Sequence, residues 1–188
     1  MDDLSRNLGI SKKTIYQFFE NKDDLVMQWS INNLNDLKCQ WETCSENAEN
    51  AIDEVFIFLN KHMGTMIKMN PSVIHDLIKY HPACVNFLKE HRMKDEKIRA
   101  FDIIKRGINE GLFRSDLDCE IMSRYQSLMK DMCFNQESFP PAQFNVFYVM
   151  KELVINFLVG LSTLEGHKLI DKYRLEGQLE MFTLKNTP

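Results

Sequence analysis

The 188 residues include only 7 Gly and 5 Pro, about half the share these two residues hold in an average chain. Neither occurs between Gly9 and Gly64, which excludes a succession of short strands and turns. With 44% hydrophobic and 11% aromatic residues the chain can bury a core, so disordered, Pro-rich and collagen-like classes fall away. A net charge of −4 argues against a broadly basic, nucleic-acid-coating surface but not against a small basic tip.

The N-terminal stretch MDDLSRNLGISKKTIYQFFENKDDL carries the densest local signals. Leu4 and Leu8 lie one turn apart on a short helix, and Gly9 can take the positive φ of a sharp bend. Ser11 is an N-cap for a second helix over residues 12–19, whose Ile15 and Phe19 point inward. Asn21 and Asp24 form a capping-box-like pair at the start of a third helix. Two short helices joined by a glycine turn make a helix-turn-helix, which lays its second helix in the DNA major groove. Lys12 and Lys13 would then reach guanine acceptors or phosphates, Thr14 and Tyr16 phosphates, and Gln17 an adenine or a phosphate. Ser11 opens the helix that reads, and Lys22, beside the amides of the next helix start, offers a second phosphate clamp. The same pattern also suits a helical hairpin with a solvated lysine pair.

Beyond this head, Ile52, Val55, Phe56, Leu59, Met63 and Met66 recur at steps of three or four and predict an amphipathic helix over residues 48–69. Ser72 can cap a helix that Pro82 stops. A long helix follows over residues 83–109 with Val85, Leu88, Ile98, Phe101 and Ile104 inward, ended by Gly111. Asp116 or Asp118 caps a helix reaching Met132, and residues 133–141 read as a loop. Residues 142–164 are apolar around most of the circumference, which requires cover on more than one side. A second subunit is the expected cover, with Phe144, Phe147, Tyr148, Lys151, Val154, Ile155 and Leu158 as the dimer interface, paired with residues 117–132 in a four-helix bundle. A last helix is expected over residues 166–184.

The segment ISKKTIYQFFENKDDLV resembles the recognition helix and following helix start of TetR-family transcriptional repressors, through Ser11, Thr14, Ile15, Tyr16, Phe18, Phe19, Lys22 and Leu25. GINEGLFRSDLD is similar, more loosely, to a helix end and turn in that family's ligand domain. The resemblance implies an all-α homodimer. Its DNA-binding head would span residues 1–45, and its ligand-binding and dimerisation domain residues 46–188. It also implies a double-stranded DNA operator and a small-molecule inducer held in a cavity. Family members carry a further helix ahead of the segment that opens here, so the head is expected to lack its first helix. Leu4, Leu8, Ile15 and Phe19 would then lose cover worth about 1.5–3 kcal/mol each.

Met63, Met66, Tyr80, Phe101, Met122, Tyr125, Met129, Phe147 and Met150 are candidates for an adaptable cavity lining, and no cluster of charge marks a polar ligand, so an apolar or amphipathic one is expected. Each of these residues also suits an ordinary core. His75, His81, Cys84 and His91 match no metal-ligand spacing, and the five scattered cysteines form no CxxC pair. No metal or cofactor is expected. There is no nucleophile elbow, HExxH or phosphate-binding glycine loop, so no enzyme is indicated. No apolar run is long enough to span a bilayer and no signal peptide is present, which reads as a cytoplasmic protein without a membrane partner. The expected function is a ligand-responsive regulator, most simply a repressor. A helical small-molecule-binding or interaction protein without DNA binding is the alternative.

Overall fold

A computed structural model describes residues 1–67, 71–140 and 142–176, and the side chains of 62–67, 71, 72, 74, 75 and 92 lie outside that description. The described residues form α-helices and no strand. The helices are α1 (Asp2–Leu8), α2 (Lys12–Ile15), α3 (Lys22–Asn47), α4 (Ala51–Ile67), α5 (Pro71–Tyr80), α6 (Pro82–Asn109), α7 (Cys119–Cys133), α8 (Val146–Leu161) and α9 (Leu164–Leu175). None is long and apolar enough to cross a membrane. They cluster into two compact units, Met1–Lys38 with Asn70–Arg92, and Cys39–Met69 with Met93–Pro188. Helices α3 and α6 contribute residues to both.

In the first unit, α1 ends at Gly9, whose φ of 65° lets its N–H reach the Arg6 carbonyl while Ile10 N–H reaches Ser5. Helix α2 is shorter than the spacing predicts. Regular helix stops at Ile15, and hydrogen-bonded turns carry the chain to Phe19. Ile15 is 3% exposed despite the expected loss of cover, whereas Leu8 is 59% exposed and Leu4 and Phe19 are half-buried. Ser30, fully buried on α3, donates to the Val26 carbonyl at 2.8 Å and lies 2.9 Å from Cys84 Sγ. His81, between α5 and α6, has Nδ1 2.6 Å from the Asp23 carboxylate in the first turn of α3.

The second unit is built on α4 and α8, which touch each other and α9, with α7 against α8. Ile52 and Phe56 are fully buried, and Leu158, Leu161 and Ile170 nearly so, so this is where the apolar area goes. Asn50 caps α4 by accepting from Ile52 and Asp53 N–H, and its amide donates to the Tyr173 hydroxyl on α9 at 3.0 Å. Gly111, with φ 72°, ends the long helix as expected. Asp118 is the residue that caps α7.

Two expectations are corrected. Residues 142–164 are not one helix: α8 starts after the Asn145 cap and stops at Leu161, and Thr163 caps the separate α9. The break exists because Arg114 N–H bonds Leu161 and Thr163 N–H bonds Leu112, so the turn after α6 takes the backbone groups a continuing helix would use. Ile98, expected inward, is 55% exposed; Ile104 is buried as expected, and Ala100 and Ile103 are buried with it. The expected helix over residues 166–184 is present to Leu175, and residues from 177 onward lie outside those described.

Candidate functional site

Helix α2 is assembled from its own sequence. Ser11 Oγ accepts from Thr14 N–H at 3.0 Å and lies 2.8 Å from Thr14 Oγ1, which closes the N-terminus and leaves Thr14 half-buried. Lys12, Lys13, Tyr16, Gln17 and Lys22 are exposed around it. Lys12 is ion-paired with Asp2 on α1. Through that bond the Lys12 ammonium is held above its usual pKa and the Asp2 carboxyl below its own. The Asp24 carboxylate accepts from Glu20 N–H and its own N–H donates to Asn21 Oδ1, both at 2.9 Å, so the turn into α3 is doubly closed.

Of the nine residues expected in a ligand cavity, the seven with described side chains differ widely in burial. Met129 and Met150 are buried, Phe101, Met122 and Phe147 half-buried, and Tyr80 and Tyr125 exposed. Met63 and Met66 have side chains outside those described. Two cavities in the second unit are lined by other residues. One, of about 320 Å³, is an open cleft between α3, α4 and α6. Its wall is Trp41, stacked on Phe58 at 3.5 Å with the Arg99 guanidinium 5.7 Å from the indole centroid. Its floor is Arg106, which donates to Glu54 at 3.0 Å, to Glu110 at 2.7 Å and to the Ala48 carbonyl at 3.1 Å. Burial pushes the Glu54 carboxyl above its usual pKa, more than the Arg106 charge pulls it back. Burial acts to lower Arg106, and its bonds to Glu110 and Glu54 more than offset this. The sequence carries one trace of this cluster, the i, i+4 spacing of Arg106 and Glu110; Glu54 comes from a distant helix.

The other cavity is narrow, about 10 Å³, and lies among α4, α6, α7 and α8. Its lining includes Val55, Ile104, Phe113, Val154 and Phe157, with Gln126 as its one polar residue.

Of the residues expected between subunits, Val154, Ile155 and Leu158 are buried inside the chain, while Phe144, Phe147, Tyr148 and Lys151 are half-buried. The physical reason is that α4, α7 and α9 already pack on α8. Exposed apolar surface lies instead on α7, where Ile121, Tyr125, Leu128 and Met132 follow one another at steps of four, three and four and so share a face.

Of the candidate metal ligands, His81 faces Asp23, Cys84 faces Ser30, and His91 Nδ1 lies 2.9 Å from the Phe87 carbonyl. The His75 side chain lies outside those described. No group of three metal-ligating side chains occurs among the described residues.

No protein-family model matches the chain. No curated protein matches it either. Among solved structures, the ketosteroid transcriptional regulator KstR2 of Mycobacterium tuberculosis is similar, with a TM-score of 0.53 and 18% identity over 86% of this chain and 83% of that one. At that identity the likeness is one of fold, and the described residues of this chain are all-α.

Proposed function

We propose that the chain is a ligand-responsive, DNA-binding transcriptional regulator, acting as a homodimer that represses until a small molecule binds. The observation that carries the reading is the capped α2, with Lys13, Tyr16 and Gln17 exposed on it, on a fold similar to that of a transcriptional regulator. Tyr16 and Gln17 follow the last regular turn, so on this reading they contact phosphates at the groove edge while Lys12 and Lys13 approach base edges. Thr14 supports the cap through Ser11 as well as offering a hydroxyl. DNA reading is assigned to residues 1–45 and ligand sensing to residues 46–188. Residues 70–92 share a compact unit with the reading helix, which supports a role for them in passing the signal. An inducer acts only through its differential affinity for the DNA-competent and DNA-incompetent forms. The inducer is proposed to be apolar or amphipathic.

Selection of bound duplexes from a random double-stranded pool, followed by gel shift, tests the reading. The wild-type chain should enrich a twofold-symmetric sequence with half-sites one helical turn, about 34–36 Å, apart. Lys13→Ala should weaken that complex and flatten the slope of log affinity against log salt by about 1. If no sequence is enriched, the alternative stands: a helical small-molecule-binding protein without DNA-binding activity. One observation favours that alternative, the neutralisation of Lys12 by Asp2 beside acidic Asp3, Asp23 and Asp24.

A further inference from the structure

The open cleft of the second unit carries charge that the chain itself leaves unused. Its lining holds three carboxylates, Glu42, Glu54 and Asp102, against two guanidinium groups, Arg99 and Arg106. Arg106 is fully engaged, donating to Glu54, to Glu110 and to the Ala48 carbonyl. Glu42 on α3 and Asp102 on α6 are exposed, and neither has a hydrogen bond or an ion pair among the described residues. The same cleft is lined by the apolar surfaces of Trp41 and Ile103. We propose that it binds a small amphipathic cation, an ammonium group on an apolar body, with Glu42 and Asp102 as its counter-charges and Trp41 and Ile103 as the surface its body covers.

The lining selects this chemistry by exclusion. The cleft, of about 320 Å³, has the volume of a small-molecule site, for which the range is roughly 300–1,000 Å³. Counting Glu110, which shares Arg106 with Glu54, four carboxylates face two guanidinium groups, a formal charge of −2. An anion would meet Glu42 and Asp102 and find Arg106 already bonded, so it is repelled. A wholly apolar molecule would strip water from those carboxylates and return nothing. An ammonium group replaces that water with charge-assisted hydrogen bonds. The indole already takes cations of the chain itself, with Arg99 5.7 Å and Lys130 5.8 Å from its centroid, and Phe58, stacked on it at 3.5 Å, holds the ring in place. Lys130 does not cancel the surplus, because Glu96 lies 3.8 Å from its ammonium. Helices α3 and α6 both run on into the compact unit that contains α2. Occupation of the cleft therefore couples to DNA; that consequence, unlike the binding itself, rests on the regulator reading.

The test titrates the full chain by calorimetry, in about 50 mM salt, with three probes of one shape: phenethylammonium, neutral 2-phenylethanol and anionic 3-phenylpropanoate. Wild type should bind the ammonium more tightly than the alcohol by about three- to tenfold, the ratio that two partly exposed charge pairs produce, and the carboxylate most weakly. The preference should shrink as salt is raised. Glu42→Gln combined with Asp102→Asn should abolish it while keeping the far-ultraviolet circular dichroism of wild type, because neither side chain has a partner to lose. Glu137→Gln combined with Asp171→Asn removes the same charge from exposed positions outside the cleft and should leave the preference intact. No binding of phenethylammonium, equal binding of the alcohol, a preference that survives the cleft variant, or one lost equally in the control variant would overturn the proposal. If phenethylammonium binds through Glu42 and Asp102 but specific DNA binding is absent from the same samples, the site stands and the regulator reading fails. Intact specific DNA binding with no cation bound is the opposite result.

Discussion

Gly107 has no side chain because the ring of Phe113 occupies the place a Cβ would take. Phe113 is 1% exposed in the core of its unit, so the ring has no free direction in which to move. Gly107→Ala should therefore cost about 1–3 kcal/mol, although alanine is the better helix former. Urea unfolding should show a lower midpoint at an unchanged slope; an unaltered midpoint would mean that the ring yields. At the other end of the chain, Asp2 holds Lys12 in an exposed ion pair. Asp2→Asn frees that ammonium and removes an anion beside α2, the helix proposed to read DNA. The dissociation constant for DNA at about 50 mM salt should fall roughly two- to fivefold, and the gain should fade as salt screens both terms. Neither effect is visible in composition. Gly107 sits in an ordinary helical run, and a net charge of −4 does not record which lysine is paired.

At the scale of elements, α4 and α6 are fastened by Arg106 on Glu54, with the Glu54 side chain 6% exposed and that of Arg106 32%. The Glu110 carboxylate ties the same arginine to the start of α4 by accepting from Ala51 N–H at 2.8 Å. Arg106→Ala leaves a buried carboxylate without its counter-charge. Because the arginine is partly exposed, the cost should fall to about 2–3 kcal/mol, at or below the lower end of the range for buried pairs. Its pH dependence has a definite sign. Burial holds the folded Glu54 carboxyl above its usual pKa, so the folded state binds that proton more tightly. Its contribution to stability is greatest below the unfolded pKa and is lost as pH rises through the folded one. Losing the guanidinium raises the folded value further. The stability gap between wild type and Arg106→Ala should thus narrow as pH is lowered from about 7 to about 5, measured by urea unfolding at each pH. A gap that widens on acidification would show that Arg106 is not what steadies this carboxylate.

The whole molecule presents an apolar stripe on α7, with Ile121 57%, Tyr125 51% and Leu128 62% exposed. Such a stripe on a helical surface suits self-association through a twofold axis, and a stable interface needs roughly 1,000 Å² or more of buried area. Leu128→Arg puts a charge in the middle of it. Sedimentation velocity at micromolar concentration should give a dimer for wild type and a monomer for this variant, with unchanged helix content because Leu128 packs on little within its own chain. A wild-type monomer would remove the dimer from the functional proposal.

Helical periodicity, the near-absence of Gly and Pro, and the caps at Ser11, Asp118 and Gly111 are local properties, which is why the sequence alone determined an all-α chain, its helix-turn-helix and most helix positions. The α7 stripe was equally open to reading, as apolar residues spaced by four, three and four. Only the tertiary structure decided which apolar faces are covered. Val154, Ile155 and Leu158 look like an interface until α4, α7 and α9 are packed around α8. Ser162 ends α8 because the turn at Leu112–Arg114 reaches it from about fifty residues away. The same holds for Gln126 and for the Arg106–Glu54 pair. Burial and partnership depend on neighbours that are distant along the chain, and no local spacing encodes who those neighbours are.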